Sequence, residues 1–284
     1  MAGHRVQRVT VDEPGETLIV ISVAMTCGTG VVRLVHYAGY PARNGRRRLS
    51  RWRALLLCCV LGLPCSAGAG VDFLETPAFP SDRVVRGLLL DLVDTGQRLV
   101  AVGERGHVLY SDDRGVTWVQ ARVPVYVTLT AVHFASPRQG WAVGHEGVVL
   151  ATADGGASWT LQLDGYAINR MVEEQAEADL RAAQQALDGV TEEAQREAAA
   201  GVLEEAQFAL DTAREDAQAG PAKPLLDVWF RNPEEGYVVG SYGILLHTRD
   251  GGGHWELWSG RLDNPDGLHL NALVATPSGT LVIA

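Results

Sequence analysis

The sequence predicts an all-β propeller of four-stranded blades, interrupted by one α-helical hairpin. Three observations predict it: a turn signature that occurs three times, a 41-residue period between the first two copies, and an Ala/Glu/Gln-rich stretch that fills the longer gap before the third.

The three copies are Ser111-x-Asp113-x-Gly115-x-Thr117-Trp118, Thr152-x-Asp154-x-Gly156-x-Ser158-Trp159 and Thr248-x-Asp250-x-Gly252-x-His254-Trp255. Only the last departs from the pattern, at His254. Each Asp follows a Gly by ten residues (Gly103, Gly144, Gly240) and precedes its Trp by five. Asp-to-Asp spacing is 41 and then 96, and the 55 extra residues equal the length of segment 166–220. The chemistry of the turn is local. An Asp carboxylate accepts hydrogen bonds from backbone N–H groups of its own turn. The Gly takes a backbone angle closed to other residues. The Trp buries a large apolar face between blades.

Between these turns lie short apolar runs separated by Gly, Asp, Asn and Pro, as a meander of strands requires. Four strands in about 40 residues is the size of one propeller blade. The blades fall at 86–121, 128–163 and 225–259, and a fourth begins at 270–274 and runs to Ala284. The repeat demands its next Gly just there, and an open ring would expose sheet edges. The expectation is therefore a piece of a longer propeller, with 70–165 forming blades one and two and 221–284 forming blade three and the start of blade four.

The first 69 residues read differently. Arg46, Arg47, Arg48, Arg51 and Arg53 precede a ten-residue apolar run at 54–63, and Ala67 and Ala69 stand in an A-x-A arrangement. This is the pattern of a secretory signal peptide over 46–69, too short to span a bilayer as a mature helix. Segment 1–45 shows no period and suggests an overextended start. All four cysteines fall within the first 65 residues, so the repeats carry no disulfide framework and no thiolate metal site. The expected location is the periplasm or outside the cell. Residues 70–284 hold 31 acidic and 15 basic side chains, a net charge of −16. Such a surface repels nucleic acid and anionic lipid, so the expected partner is a protein or a neutral or cationic group.

The turns resemble the BNR/Asp-box repeats of sialidases and other propellers. The wider pattern V-G-x-x-G-x-(V/I)-L-x-T-x-D-G-G-x-x-W resembles the photosystem II stability/assembly factor family and its non-photosynthetic bacterial relatives. The resemblance covers residues 80–165 and 221–284. It implies a non-enzymatic propeller of about seven blades, lumenal or periplasmic, that assists assembly of a membrane complex. Relatives often carry Arg in the Gly-bounded turn. Only Arg105 matches here, and the 55-residue insert also departs from the photosynthetic members.

Residues 169–187 and 191–218 are rich in good helix formers. Asp188-Gly189 reads as the turn of a coiled-coil-like hairpin, with Thr191 as N-cap of its second helix. Ile168, Val172, Gln175 or Ala176, Leu180 or Asp179, Ala183 and Leu187 mark one seam, and Ala194, Ala198, Val202 with Leu203, Phe208 or Ala209, and Ala213 the other. The segment 166–220 carries 13 acidic residues and four Arg, a net charge of −9.

The residues between the paired glycines vary while the frame repeats: Glu104 and Arg105, His145 and Glu146, Ser241 and Tyr242. Varied chemistry on a repeated frame marks a recognition surface. These six are the expected contact residues, with the hairpin emerging on the same face. Asp113, Gly115, Trp118, Asp154, Gly156, Trp159, Asp250, Gly252 and Trp255 are expected to be structural. The rival reading is a sialidase-like glycosidase, which needs an arginine cluster or two convergent carboxylates. Val84-Val85-Arg86-Gly87 matches the sialidase entry motif poorly, and nothing in the sequence makes Glu104 and Glu146 converge. The scattered histidines lack metal-ligand spacing. No calcium-loop series or phosphate loop occurs, so no cofactor or metal is expected.

Overall fold

The computed structural model describes residues 72–284, together with the backbone of strands β1 (Arg5–Val9) and β2 (Leu18–Ser22). The signal-peptide segment 46–69 lies outside the described residues. Three antiparallel sheets follow the repeat. The first is β3 (Leu89–Asp94), β4 (Leu99–Gly103), β5 (Val108–Ser111) and β6 (Val119–Gln120). The second is β7 (Leu129–Phe134), β8 (Gly140–Gly144), β9 (Val149–Thr152) and β10 (Thr160–Leu163). The third is β11 (Leu225–Phe230), β12 (Gly236–Gly240), β13 (Leu245–Thr248) and β14 (Glu256–Leu257). In the fourth, β15 (Leu273–Ala275) and β16 (Leu281–Ile283) are joined by β2 and β1 in the order β1-β2-β16-β15. There β2 runs parallel to β16, so the segment without a legible period supplies two strands.

Each second strand reads as a continuous apolar run because neighbouring sheets cover both of its faces. Gly140–Gly144 and Gly236–Gly240 are buried at every residue. The cores therefore lie between sheets. Val100, Val102 and Val108 pack with Val132, Leu150 and Trp159. Trp141 and Val143 pack with Val228, Phe230 and Trp255, and the Trp141 and Phe230 rings stack at 3.4 Å. Tyr237 and Leu245 pack with Leu273 and Ile283. Trp159 and Trp255 thus sit between sheets, whereas Trp118 in the first sheet is only half-buried.

The first strands carry a bulge at one repeated place, between Leu89 and Asp91, Leu129 and Ala131, and Leu225 and Asp227. The bulge re-aims side chains toward the next sheet. Asp91 accepts from Val132 N at 2.8 Å, Thr130 Oγ1 donates to Leu225 O at 2.7 Å, and Asp227 accepts from Leu273 N at 2.7 Å. Adjacent first strands are laced by side chains instead of by a shared ladder.

Two helices interrupt the sheets: α1 (Gly165–Gly189) and α2 (Glu193–Ala219). α1 starts a full turn before the expected residue 169, because Asp164 caps it and accepts from Ala167 N at 2.8 Å. Gly189 stays helical, so 190–192 form the connection, and Glu192 rather than Thr191 holds the N-cap position without a side-chain bond. The second seam also differs from expectation. Leu210 and Ala213 are buried, while Val202 and Phe208 are 55% and 75% exposed. A stripe through Ala199, Leu203, Ala206, Leu210 and Ala213 is wholly apolar. One through Ala198 and Val202 would bury Glu205. The hairpin therefore rotates to the first.

Candidate functional site

In a four-stranded meander the loops joining strands two and three lie at the opposite end from those joining three and four. The Asp-containing turns occupy the second end. In each, a buried hydroxyl organises the loop. Ser111, Thr152 and Thr248 donate to Asp113, Asp154 and Asp250 at 2.8, 2.9 and 3.0 Å. The same oxygens accept from Gly115, Gly156 and Gly252 N at 2.7, 3.0 and 2.9 Å. Each carboxylate then accepts the backbone N–H four residues on, from Thr117, Ser158 or His254, at 2.8 to 2.9 Å. Its second oxygen meets the side chain of that same residue at 2.6 Å. His254 Nδ1 therefore replaces the hydroxyl found in the other two copies, which explains the departure in sequence.

These bonds hold Asp113 at a pKa of about 2, chiefly through the Thr117 side chain, and Asp250 at about 2, chiefly through His254. Burial alone would raise Asp154, but its bonds to Ser158 and Thr152 outweigh that and lower it. The turns also clamp neighbouring sheets. Gly155 O accepts from Arg98 Nη1 at 3.0 Å, and Gly251 O accepts from Trp141 Nε1 at 3.1 Å and Gln162 Nε2 at 2.9 Å. Their side chains are spent on architecture.

The opposite end offers exposed side chains, with Arg105 Nε lying 3.8 Å from Glu104 Oε2. Its turns are single 3-10 turns at Glu104–Gly106, His145–Gly147 and Ser241–Gly243. A Cβ on Gly103 or Gly144 would strike the carbonyl oxygen of Leu88 or Thr128, so the first glycine permits a close backbone approach. That approach is the bond from Glu104 N, His145 N and Ser241 N to Leu88 O, Thr128 O and Pro224 O, at 3.0, 2.8 and 3.0 Å. The frame then forces the middle residue into left-handed backbone: Arg105 at φ 58°, Glu146 at 57° and Tyr242 at 57°. Among the described residues, the other non-glycine at positive φ is Arg114, where the later Asp-containing turns carry Gly155 and Gly251. A non-glycine side chain held there costs on the order of 1 kcal/mol or more, and such strain clusters at functional sites.

The six expected contact residues divide. Arg105, His145 and Tyr242 are exposed and Glu146 is half-buried. Glu104 is half-buried; one carboxylate oxygen accepts from Leu88 N at 3.1 Å and the other lies 3.8 Å from Arg105 Nε. Ser241 is 4% exposed, with its hydroxyl donating to Pro224 O at 3.1 Å. Ser241 thus belongs to the frame, Glu104 braces the frame while staying part-exposed, and the other four lie at the surface. Two features escaped the sequence reading. His269 Nδ1 accepts from Tyr242 N at 2.9 Å, and its ring meets the Tyr242 ring edge-on at 5.0 Å. Tyr126 gathers Phe73 at 6.0 Å and Phe79 at 5.3 Å, close to the first turn, where Gly106 N donates to Val127 O at 2.5 Å. Neither has a local signal, because each joins segments distant in sequence.

The hairpin is rooted at this same end. A Cβ on Gly147 would meet the backbone of Gly165 at 2.6 Å, and Ile168 is buried in the core between the second and third sheets. Buried Asn169 donates to Gly220 O at 3.0 Å and joins the two helix roots, which Lys223 and Asp216 flank as an ion pair at 2.6 Å. Among the described residues no cluster of His, Cys, Asp or Glu could hold a metal ion, and no helix is long and apolar enough to cross a membrane.

Comparison with known families matches residues 111–183 and 209–276 to the family described as photosynthesis system II assembly factor YCF48. Two solved structures are similar: YCF48 bound to D1 peptide, and YCF48 from Cyanidioschyzon merolae. Each is 16% identical with a TM-score of 0.39 and covers 69% of this chain; the chain spans 47% of the first and 50% of the second. No curated protein matches this chain. The repeated turns lie inside the matched stretches, so the chain is similar to the YCF48-like, BNR-repeat family through the repeats themselves.

Proposed function

We propose that this protein is a non-enzymatic periplasmic propeller that assists assembly of a membrane protein complex. It grips an extramembrane part of that complex with the end that carries Arg105, His145, Glu146, Tyr242 and the helical hairpin. The observation that carries this reading is the coincidence of three non-glycine residues in left-handed backbone at one repeated position, Arg105 and Tyr242 exposed and Glu146 half-buried, on the end from which the hairpin rises. The Asp-containing turns at the other end have their carboxylates satisfied internally. Similarity to the YCF48 family supports the assembly role, and the signal-peptide pattern supports export. A closed ring of about seven blades supplies the rest of the surface. Arg105 as the single Arg among the three turns, and the hairpin, favour a complex other than a photosystem.

The test is recovery of partners from detergent-solubilised membranes by the tagged protein. The triple variant Arg105→Ala, His145→Ala, Tyr242→Ala should fold with an unchanged melting temperature and recover at least tenfold less of the partner. Full recovery would contradict the assignment of this surface. Hydrolysis of sialosides or aryl glycosides, abolished by Glu104→Gln or Glu146→Gln, would instead establish the glycosidase reading.

A further inference from the structure

The rotation of the hairpin leaves a groove unfilled. On α2 it is lined by Ala200, Leu203, Glu204, Gln207, Phe208 and Asp211, and on α1 by Leu180, Arg181 and Gln184. The α2 residues recur at spacings of three and four, the pattern of one helical face. Leu180 and Leu203 form the floor, and Phe208 stands on the rim with three-quarters of its surface exposed. A solvated aromatic on the rim of a groove between two helices is the setting for a third helix.

Charge says what kind of helix. At about 100° per residue, Glu193, Glu197, Glu204, Asp211 and Glu215 fall within about 40° of one another on α2. All five are exposed. They form an acidic stripe along one bank of the groove, within a segment of net charge −9. A second copy of this hairpin would bring two such stripes together, and like charges at close quarters oppose docking.

We propose that this groove receives an amphipathic helix of a partner protein, with an apolar stripe on Leu180, Leu203 and Phe208 and with Lys or Arg facing the α2 carboxylates. The stretch 200–211 rises about 16 Å, so the occupant is about three helical turns. This deepens the reading of the hairpin as part of the partner surface, and its test is independent of the three sheet turns.

The probe is a labelled 14-residue peptide of Leu, Ala and Lys, with Leu at i, i+3, i+4 and i+7 and Lys along one flank. Its control replaces every Lys by Glu. Binding to the full chain is followed by fluorescence anisotropy. The Lys peptide should bind saturably, weaken as NaCl rises from roughly 50 to 500 mM, and lose at least tenfold in affinity to Phe208→Ser and to the double variant Glu204→Lys, Asp211→Lys. These sites are solvent-facing, so helicity by circular dichroism should stay unchanged. The triple variant Arg105→Ala, His145→Ala, Tyr242→Ala should bind the peptide normally, which separates failure of this site from failure of the turn surface. Three results would overturn the proposal: equal binding of the Glu peptide, an affinity within twofold of the parent for Phe208→Ser, or a dimer in sedimentation that Phe208→Ser dissolves, which would make the occupant a second copy.

Discussion

Thr152 shows how much one atom carries. Its buried hydroxyl donates to Asp154 and accepts from Gly156 N. Thr152→Val keeps the shape and strands that N–H, at a cost of about 1–3 kcal/mol. Asp154→Ala frees Ser158 N at a more exposed place, and should cost about 1 kcal/mol. Urea denaturation checks the order, with Thr152→Val the more damaging. Acid stability follows from the same turns. Asp113 and Asp250 sit at about 2 and Asp154 is lowered, against about 3.9 in the unfolded chain. A depressed carboxylate contributes stability above its unfolded pKa, and that contribution is lost as pH falls through the folded value. Melting temperature should therefore drop between about pH 4 and pH 2, and Asn at all three positions should flatten the drop. Burial also lowers His107 and His133, so the unfolded chain takes up their protons first, and stability begins to decline below about pH 6.5. At the other end, Tyr242→Gly removes a left-handed non-glycine. It should leave the melting temperature unchanged or higher while reducing partner recovery. A fall in melting temperature would show that the ring of Tyr242, packed on His269, is structural. The Asp, Gly and Trp positions were legible in the sequence because the turn is local. The side-chain bonds of Glu104 and Ser241 were not, because they reach Leu88 N and Pro224 O across the loop.

Among the elements, the strands of the three repeats were the most legible, since each is a short apolar run closed by turn residues. β1 and β2 were not, because β2 pairs with β16, a partner more than 250 residues away, and β1 joins that sheet only through β2. The hairpin was legible as two helices, but its rotation was not. Either stripe on α2 offers several apolar residues, and only packing against α1 selects the one that spares Glu205. The root is part of the sheet core. Ile168 is 1% exposed and Asn169 bonds to the end of α2, so removing the whole hairpin would damage the sheets. A shorter excision is cleaner. Replacing 181–206 by a Gly-Ser bridge keeps Val172, Ala176, Leu210 and Ala213 together. That variant should fold with the parent's strand signal and lose partner recovery. Normal recovery would make the hairpin a spacer between the second and third sheets.

At the scale of the whole molecule, the meander order separates two jobs. Every strand-three-to-four turn closes on itself, and the second and third clamp the preceding sheet. Every strand-two-to-three turn raises one side chain from a strained backbone, and the hairpin rises beside the second of them. The period of 41 and the repeated Gly made that division legible in outline. The aromatic group of Phe73, Phe79 and Tyr126 adds to the same end without any periodic signal. Site-specific photo-crosslinking tests the division most directly. A benzophenone side chain is placed at Tyr242 on one end and at Val116 on the other, where Val116 is 81% exposed in an Asp-containing turn. After irradiation in cells, Tyr242 should yield a discrete crosslinked partner and Val116 none. A partner captured from Val116 and none from Tyr242 would contradict the central claim.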